Sequence, residues 1–359
     1  MARGLFELRK DSITGWWVAV VVDRDFDAAR FRRPARMLGQ QPDDCPNCSE
    51  PPGEGVRVRM LKRDAFSIAG TEREARQAGL EEREPELGLV GDRGSWQTIV
   101  APPDHHEPLA ETSSQICFEM LACAREALVT AQRAQRTDYL QVVQNWGKQA
   151  GARTDHLCLD FYDLPQIPHR IGEELGGAAR YLIREGVCAF CRLVEDEVAD
   201  GTRLVLEDAA AVAFAPYASR SPFELWVVPR HHAADFGTAS DAQLVSAAET
   251  LQRVLRLLAS LDWPPYNLLL HTAPLRERVD ETYHWHWEIH PRLREIAGLE
   301  LGTGLPVNPV SPEEAVAELL EAAGETAGGG GLAASGSSGG APGAGRRRTW
   351  DDFRREVER

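Results

Sequence analysis

The sequence predicts a duplicated chain in which strands alternate with helices, two similar halves in tandem. Three observations carry that prediction. Two Cys-x-x-Cys pairs, CPNC at Cys45 and Cys48 and CAFC at Cys188 and Cys191, fall in different parts of the 359 residues. Each is followed by a histidine doublet, PDHH (His105, His106) after the first and PRHH (His231, His232) after the second. A further histidine then sits in a strand-like segment, His156 in DHLCLD and His284 in YHWHWEIH. The same parts recurring in the same order point to a repeated unit.

The elements follow in chain order. WWVAVVVD (16 to 23) and SWQTIVA (95 to 101) are rich in β-branched and aromatic residues and read as strands. From about 110 to 134 Cys117, Leu121, Ala124 and Leu128 form one stripe at helical spacing, so Cys117 and Cys123 read as ordinary helix side chains. DYLQVVQN (138 to 145) and DHLCLDFYD (155 to 163) are further strands. After GEELGGAARYLIREG a second round begins with CAFC, strands at AAVAFAP and FELWVVP, a helix around 240 to 259, and the strand YNLLLHTA. The last strand, YHWHWEIHPRL (283 to 293), puts His284, His286, Glu288 and His290 at every second position. Side chains alternate across a strand, so these four share one face and Trp285, Trp287 and Ile289 the other, facing the core.

The expected division is 1–175 and 176–325 for the two halves, 326–346 for a Gly/Ser-rich linker and 347–359 for a charged tail. The linker is too poor in apolar side chains to offset its ordering entropy. The tail, RRRTWDDFRREVER, reads as a solvated charged end or as a docking peptide with Trp350 and Phe353 on one side.

Composition narrows the partners. The apolar fraction of 43% suits a globular protein, and a net charge of −15 argues against a nucleic-acid polymer, which is bound through clustered Lys and Arg. A small anion needs only a local positive site. The start, MARGLFELRKDSITGWW, has no apolar run of a signal peptide and no segment has the length of a membrane span, so a cytoplasmic protein with no membrane contact is expected. In a reducing compartment Cys-x-x-Cys pairs are metal ligands or redox motifs more often than disulfides.

Two cysteines and two histidines make a closed tetrahedral zinc site. The first set is Cys45, Cys48, His105 and His156; the second is Cys188, Cys191, His231 and His284. His106 and His232 are the neighbouring candidates, since spacing does not choose between adjacent residues. With His284 on zinc, His286 stays free as a phosphorus nucleophile. Asn145 and Gly147, in QNWGKQAGA, shape the loop that enters the DHLCLD strand.

RKDSITGWWVAVVVDR, CPNC, PPDHHEPLAE, QNWGKQAGARTDH, PFELWVVPRHH and YHWHWEIHPRL, in this order across about residues 5 to 325, resemble galactose-1-phosphate uridylyltransferase and its nucleotidyltransferase relatives in the histidine triad superfamily. The resemblance implies an α+β fold of two tandem histidine-triad-like halves, each an antiparallel sheet with helices, assembled as a homodimer. It implies ping-pong transfer of a nucleoside monophosphate, through a histidine, between a nucleotide sugar and a sugar phosphate. It places zinc on Cys45, Cys48, His105 and His156. It also offers an alternative second metal, zinc or iron, on Glu174, His271, His284 and His286, and phosphate contacts at Arg24, Arg33 and Asn145.

The chain departs from the family at the reacting residues. Where the family has His-Pro-His, then Gly or Ser, then Gln, this chain has His156, Leu157, Cys158, Leu159 and Asp160. Cys158 takes the nucleophile position and Asp160 that of the glutamine that supports the phosphoryl oxygens. Three readings stay open. Catalysis has moved to His286 with Glu288 in support and His290 or His271 assisting; or the chain binds nucleotides or a partner without reacting; or both halves are zinc-stapled scaffolds.

Overall fold

The computed structural model describes residues 5–22, 27–48, 58–63, 94–101, 105, 107–324 and 355. Arg24, His106, the linker and all of the tail but Arg355 lie outside them. The first half runs β1 (Leu5–Lys10), β2 (Trp17–Val22), β3 (Arg59–Arg63), β4 (Ser95–Val100), α1 (Ser114–Ala134), β5 (Tyr139–Trp146), β6 (Cys158–Leu164) and α2 (His169–Glu185). The second runs α3 (Ala189–Asp200), β7 (Leu204–Glu207), β8 (Ala211–Phe214), β9 (Leu225–Pro229), α4 (Asp241–Ala259), β10 (Tyr266–His271), β11 (His286–Pro291), α5 (Gly298–Thr303), β12 (Val307–Asn308) and α6 (Pro312–Ala323).

The halves share a sheet. Among the described residues nine strands lie in the order β3-β4-β6-β5-β10-β11-β9-β8-β7, every neighbour antiparallel. The junction is β5 against β10, with Val143 opposite Leu269 and Asn145 opposite Asn267. Matching His156 to His284 sets β6 on β11 and β4 on β9, and the resulting pseudo-two-fold axis passes between Val143 and Leu269. A separate sheet, β1-β2-β12, closes over one end.

Alternation along the strands builds the layers. Trp285, Trp287 and Ile289 of the β11 segment face a core made with α1, α4 and α6, where Phe236 meets both indoles edge-on at 5.0 and 5.9 Å. Burying a side chain of this size contributes on the order of 3 kcal/mol. The predicted stripe of α1 lies in the same core, Cys117, Leu121, Ala124 and Leu128 all buried. On the other face, α2 and α3 cover the second half through Ala178, Phe190 and Val194 against Val212, Trp226 and Tyr283. A Cβ on Gly177 would stand 1.8 Å from the Ile13 carbonyl oxygen, so α2 can approach the β1–β2 turn this closely only with glycine there.

Candidate functional site

The CPNC turn is held by backbone geometry, with Cys48 N–H donating to the Cys45 carbonyl at 3.1 Å and Asn47 N–H to the Cys45 sulfur at 3.3 Å. His105 and His156 bring Nδ1 to 3.3 and 3.1 Å from Cys48 Sγ. Their Nε2 atoms lie 2.9 and 3.1 Å from the carbonyl oxygens of Gln40 and Ala101, which accept only if the proton is on Nε2. That leaves each Nδ1 lone pair aimed at the thiols, the tautomer a metal ligand needs. Asp155 fastens the surrounding loop by accepting from the N–H groups of Leu38, Gly39 and Gln40 at 2.7, 2.8 and 3.2 Å.

CAFC opens α3, with Cys188 as its N-cap. Here the structure corrects the expected set. His232, not His231, reaches Cys191, its Nδ1 at 3.3 Å; the chain bends at Arg230 and His231 just after β9, so the two neighbouring side chains diverge and His232 is the one that meets the cysteines. His232 Nε2 lies 2.5 Å from the Asp280 carbonyl, and His284 Nδ1 lies 3.7 Å from Cys191 Sγ. The four ligand atoms of each set lie within 4.8 Å of one another, so both sets can hold a metal. Both strand histidines, His156 and His284, sit just before their strands, in the loops that lead into β6 and β11.

The alternative set also changes membership. Since His284 faces the cysteines, Glu288 joins Glu174, His271 and His286 instead. His271 Nδ1 is 3.0 Å from Glu174, and Tyr283 donates to the same carboxylate at 2.7 Å. Glu288, fully buried, accepts from Arg170 at 2.5 and 2.8 Å and from Arg220 at 3.0 Å, with His290 Nε2 at 2.9 Å. Burial opposes its charge, but His271 and Arg220 outweigh burial and hold its pKa well below the usual carboxylate range. Both arginines escaped the sequence reading. The one available signal was Arg170, one turn before Glu174.

His286 is the largest departure from expectation. It lies on the predicted face, yet its exposure is 0%, with Trp226 stacked on it at 4.6 Å and Phe190 at 5.2 Å. Its Nδ1 is engaged with the His284 carbonyl at 3.1 Å, while Nε2 faces Glu288 at 3.7 Å with no hydrogen bond. A nucleophile must touch phosphorus, and no surface of this imidazole is exposed.

Cys158 is half-buried and borders a cleft instead. With Asn47, Arg63, Trp96, Asn145 and Arg153 it lines a cleft of about 270 Å³ over β4 and β6. Burial pushes its thiol pKa well up, and the neighbouring Asp160 carboxylate adds to the effect. Asp160 is engaged by Trp96 Nε1 at 3.0 Å and Thr98 Oγ1 at 2.8 Å. Arg153 lies 3.5 Å over the Trp96 ring and 3.6 Å from Asp160. Arg63 is fixed by Asn47 and Thr98. Asn145 lines the cleft, whereas Arg33 is exposed and outside it. Gly147 turns the chain at φ +82°, where a Cβ would press on Ala35 and Pro265 at 2.9 Å.

No protein-family model matches the chain. Among curated proteins it is similar to the ADP-glucose phosphorylase of Arabidopsis thaliana, 27% identical over 347 residues covering 88% of this chain and 93% of that protein. It is 25% identical to the galactose-1-phosphate uridylyltransferase of Thermotoga maritima, over 88% of this chain and 98% of the other. A stretch of 130 residues, 36% of the chain, is 31% identical to 91% of adenosine 5'-monophosphoramidase hnt1 of Schizosaccharomyces pombe. Among solved structures, the Arabidopsis thaliana ADP-glucose phosphorylase with bound ADP-glucose superposes with a TM-score of 0.72 over 88% of this chain and 98% of that one, at 25% identity. A uridylyltransferase gives 0.69 over 89% and 98%, at 26% identity. No helix among the described residues is long and apolar enough to cross a membrane. With its duplicated α+β sheet and these relatives, the chain belongs to the galactose-1-phosphate uridylyltransferase-like, histidine triad superfamily.

Proposed function

We propose that this protein binds a nucleotide or nucleotide sugar in the Cys158 cleft and does not carry it as a histidyl intermediate. The observation behind the reading is the pair of matching positions, Cys158 and His286. The first is open to the cleft but is a thiol beside a carboxylate, and the second is an imidazole with 0% exposure. The cleft keeps what binding needs. Arg63 and Arg153 supply guanidinium groups suited to phosphate oxygens, and the Asn145 amide faces the same space. The substrate class comes from the relatives, one of which is a phosphorylase of ADP-glucose solved with that ligand.

In the same reading each Cys2His2 set holds zinc: Cys45, Cys48, His105 and His156 in the first half, Cys188, Cys191, His232 and His284 in the second. Four protein ligands leave no place for water, so the metal acts as a cross-link. Glu174, His271, His286 and Glu288 form a third set whose ligand atoms lie close enough to hold a metal, with Arg170 and Arg220 paired to its carboxylates. The homodimer implied by the resemblance belongs to this reading too.

Intact mass spectrometry of the zinc-loaded chain after incubation with ADP-glucose and with UDP-glucose, run beside calorimetric titration of both, tests it. Expected is binding of at least one donor without added mass, weakened about tenfold by Arg153→Ala. A covalent nucleotidyl adduct, on any residue, would overturn the reading.

A further inference from the structure

The two Cys2His2 sets use the same residue types but are held unequally. Cys48 and Cys191 are alike half-buried, so the difference lies in the histidines. In the first set His105 and His156 are both buried, and each anchors its Nε2 on a backbone carbonyl. In the second His232 is exposed, so one edge of the set faces solvent. His284 Nδ1 stands 3.7 Å from Cys191 Sγ, where His156 Nδ1 stands 3.1 Å from Cys48 Sγ. His284 Nε2 is buried with no hydrogen-bond partner among the described residues. An imidazole ligand whose second nitrogen lacks an acceptor loses orientation and basicity, a loss of about 10–100-fold in metal affinity.

The weaker set also holds more. Cys188 is the N-cap of α3 and Cys191 its third residue, so the pair brackets Phe190, which is fully buried. The Phe190 ring lies 5.3 Å from Tyr283 and 5.2 Å from His286. The turn that carries both thiols therefore carries part of the cover of His286. Both cysteines are free thiols, and their sulfurs lie within the 4.8 Å that spans all four ligand atoms. Two cysteines spaced in this way at a helix start are within bridging distance of each other.

We propose that the second set is a thiol redox switch: hydrogen peroxide joins Cys188 and Cys191 as a disulfide, the metal leaves, and the turn that carries Phe190 loosens over His286. Cys191, the more exposed of the two, attacks a peroxide oxygen. The O–O bond breaks, the sulfur becomes a sulfenic acid, and the departing hydroxide takes a proton to become water. Cys188 then attacks the sulfenic sulfur; the S–S bond forms, the S–O bond breaks, and a second proton carries the oxygen away as water. The two sulfurs give up two electrons and the peroxide takes them, while zinc departs as Zn2+ with its oxidation state unchanged. His232 and His284 are then left without the metal that tied them to α3. The inference rests on zinc in both Cys2His2 sets and is independent of what the Cys158 cleft binds.

The test treats the zinc-loaded full chain with hydrogen peroxide. Zinc release is followed with a chromogenic chelator, disulfides by peptide mass mapping, and the start of α3 by hydrogen exchange over residues 186–194. Two zinc ions are expected before treatment, one of them released at least about tenfold faster than the other. The fast release should coincide with a Cys188–Cys191 disulfide and faster exchange over 186–194, while Cys45 and Cys48 stay reduced. A thiol reductant with added zinc should restore the starting state. Fewer than two ions before treatment would overturn the zinc assignment and the switch with it. Two ions before treatment, followed by retention of both, by oxidation of Cys45 and Cys48 at least as fast, or by unchanged exchange over 186–194 once the disulfide is in place, would overturn the switch alone.

Discussion

Cys158 and His286 occupy matching positions in the two halves, and they meet the outside in opposite ways. In the first half the strand face is bare enough to leave a cleft, and Asp160 is held by the neutral donors Trp96 and Thr98, with the half-exposed Arg153 at 3.6 Å as its single ion-pair partner among the described residues. In the second half α2 and α3 lie across the corresponding face, and Glu288, the counterpart of Asp160, anchors two arginines under complete burial. One duplicated scaffold thus leaves a cleft beside Cys158 in one copy and buries the matching His286 in the other. What a histidine row can do is decided by the layer above the strand more than by the row.

The largest effects are expected at the Cys2His2 sets that both halves share. With zinc on both Cys2His2 sets as proposed, Cys48→Ser and Cys191→Ser should each remove one of two ions, read by elemental mass spectrometry. Each should also give the largest loss of stability of the variants named here, since structural zinc binding contributes directly to folding. If either variant keeps both ions, the corresponding staple is misassigned.

Next in size comes the pair of acidic counterparts. Glu288→Gln leaves Arg170 and Arg220 without their buried partner and should cost about 3–5 kcal/mol in urea denaturation. Asp160→Asn keeps its neutral donors served and should cost about 1 kcal/mol. Equal losses would show that the halves are less different than their burial implies. The smallest effect lies at the helix starts. Ser240 closes α4 with a reciprocal capping box through Gln243, whereas Ser113 makes a single capping bond at α1. Ser240→Ala should cost about 1 kcal/mol and Ser113→Ala somewhat less.

Much of this was legible in the sequence. The repeated order of cysteines and histidines gave the duplication and the first metal set, and alternation put Trp285, Trp287 and Ile289 in the core. The choice between His231 and His232 was not legible, because spacing along the chain does not say which of two neighbours turns inward. Glu288 replaced His284 in the acidic cluster because His284 was already turned toward Cys191. The burial of His286 depends on Phe190 and Trp226, which come from other elements, and no local pattern announces such cover. The fusion of both halves into one sheet rests on long-range backbone pairing, to which side-chain periodicity is blind.

The β5–β10 junction carries a consequence for ancestry. Two strands paired about a pseudo-two-fold axis are what two separate copies of one half would form by edge-to-edge association, an isologous interface. In such an ancestor the contact would have come and gone with concentration. Tethering the copies in one polypeptide raised their effective concentration and made the association permanent. Once that pairing no longer required two identical partners, each copy was free to diverge from the other.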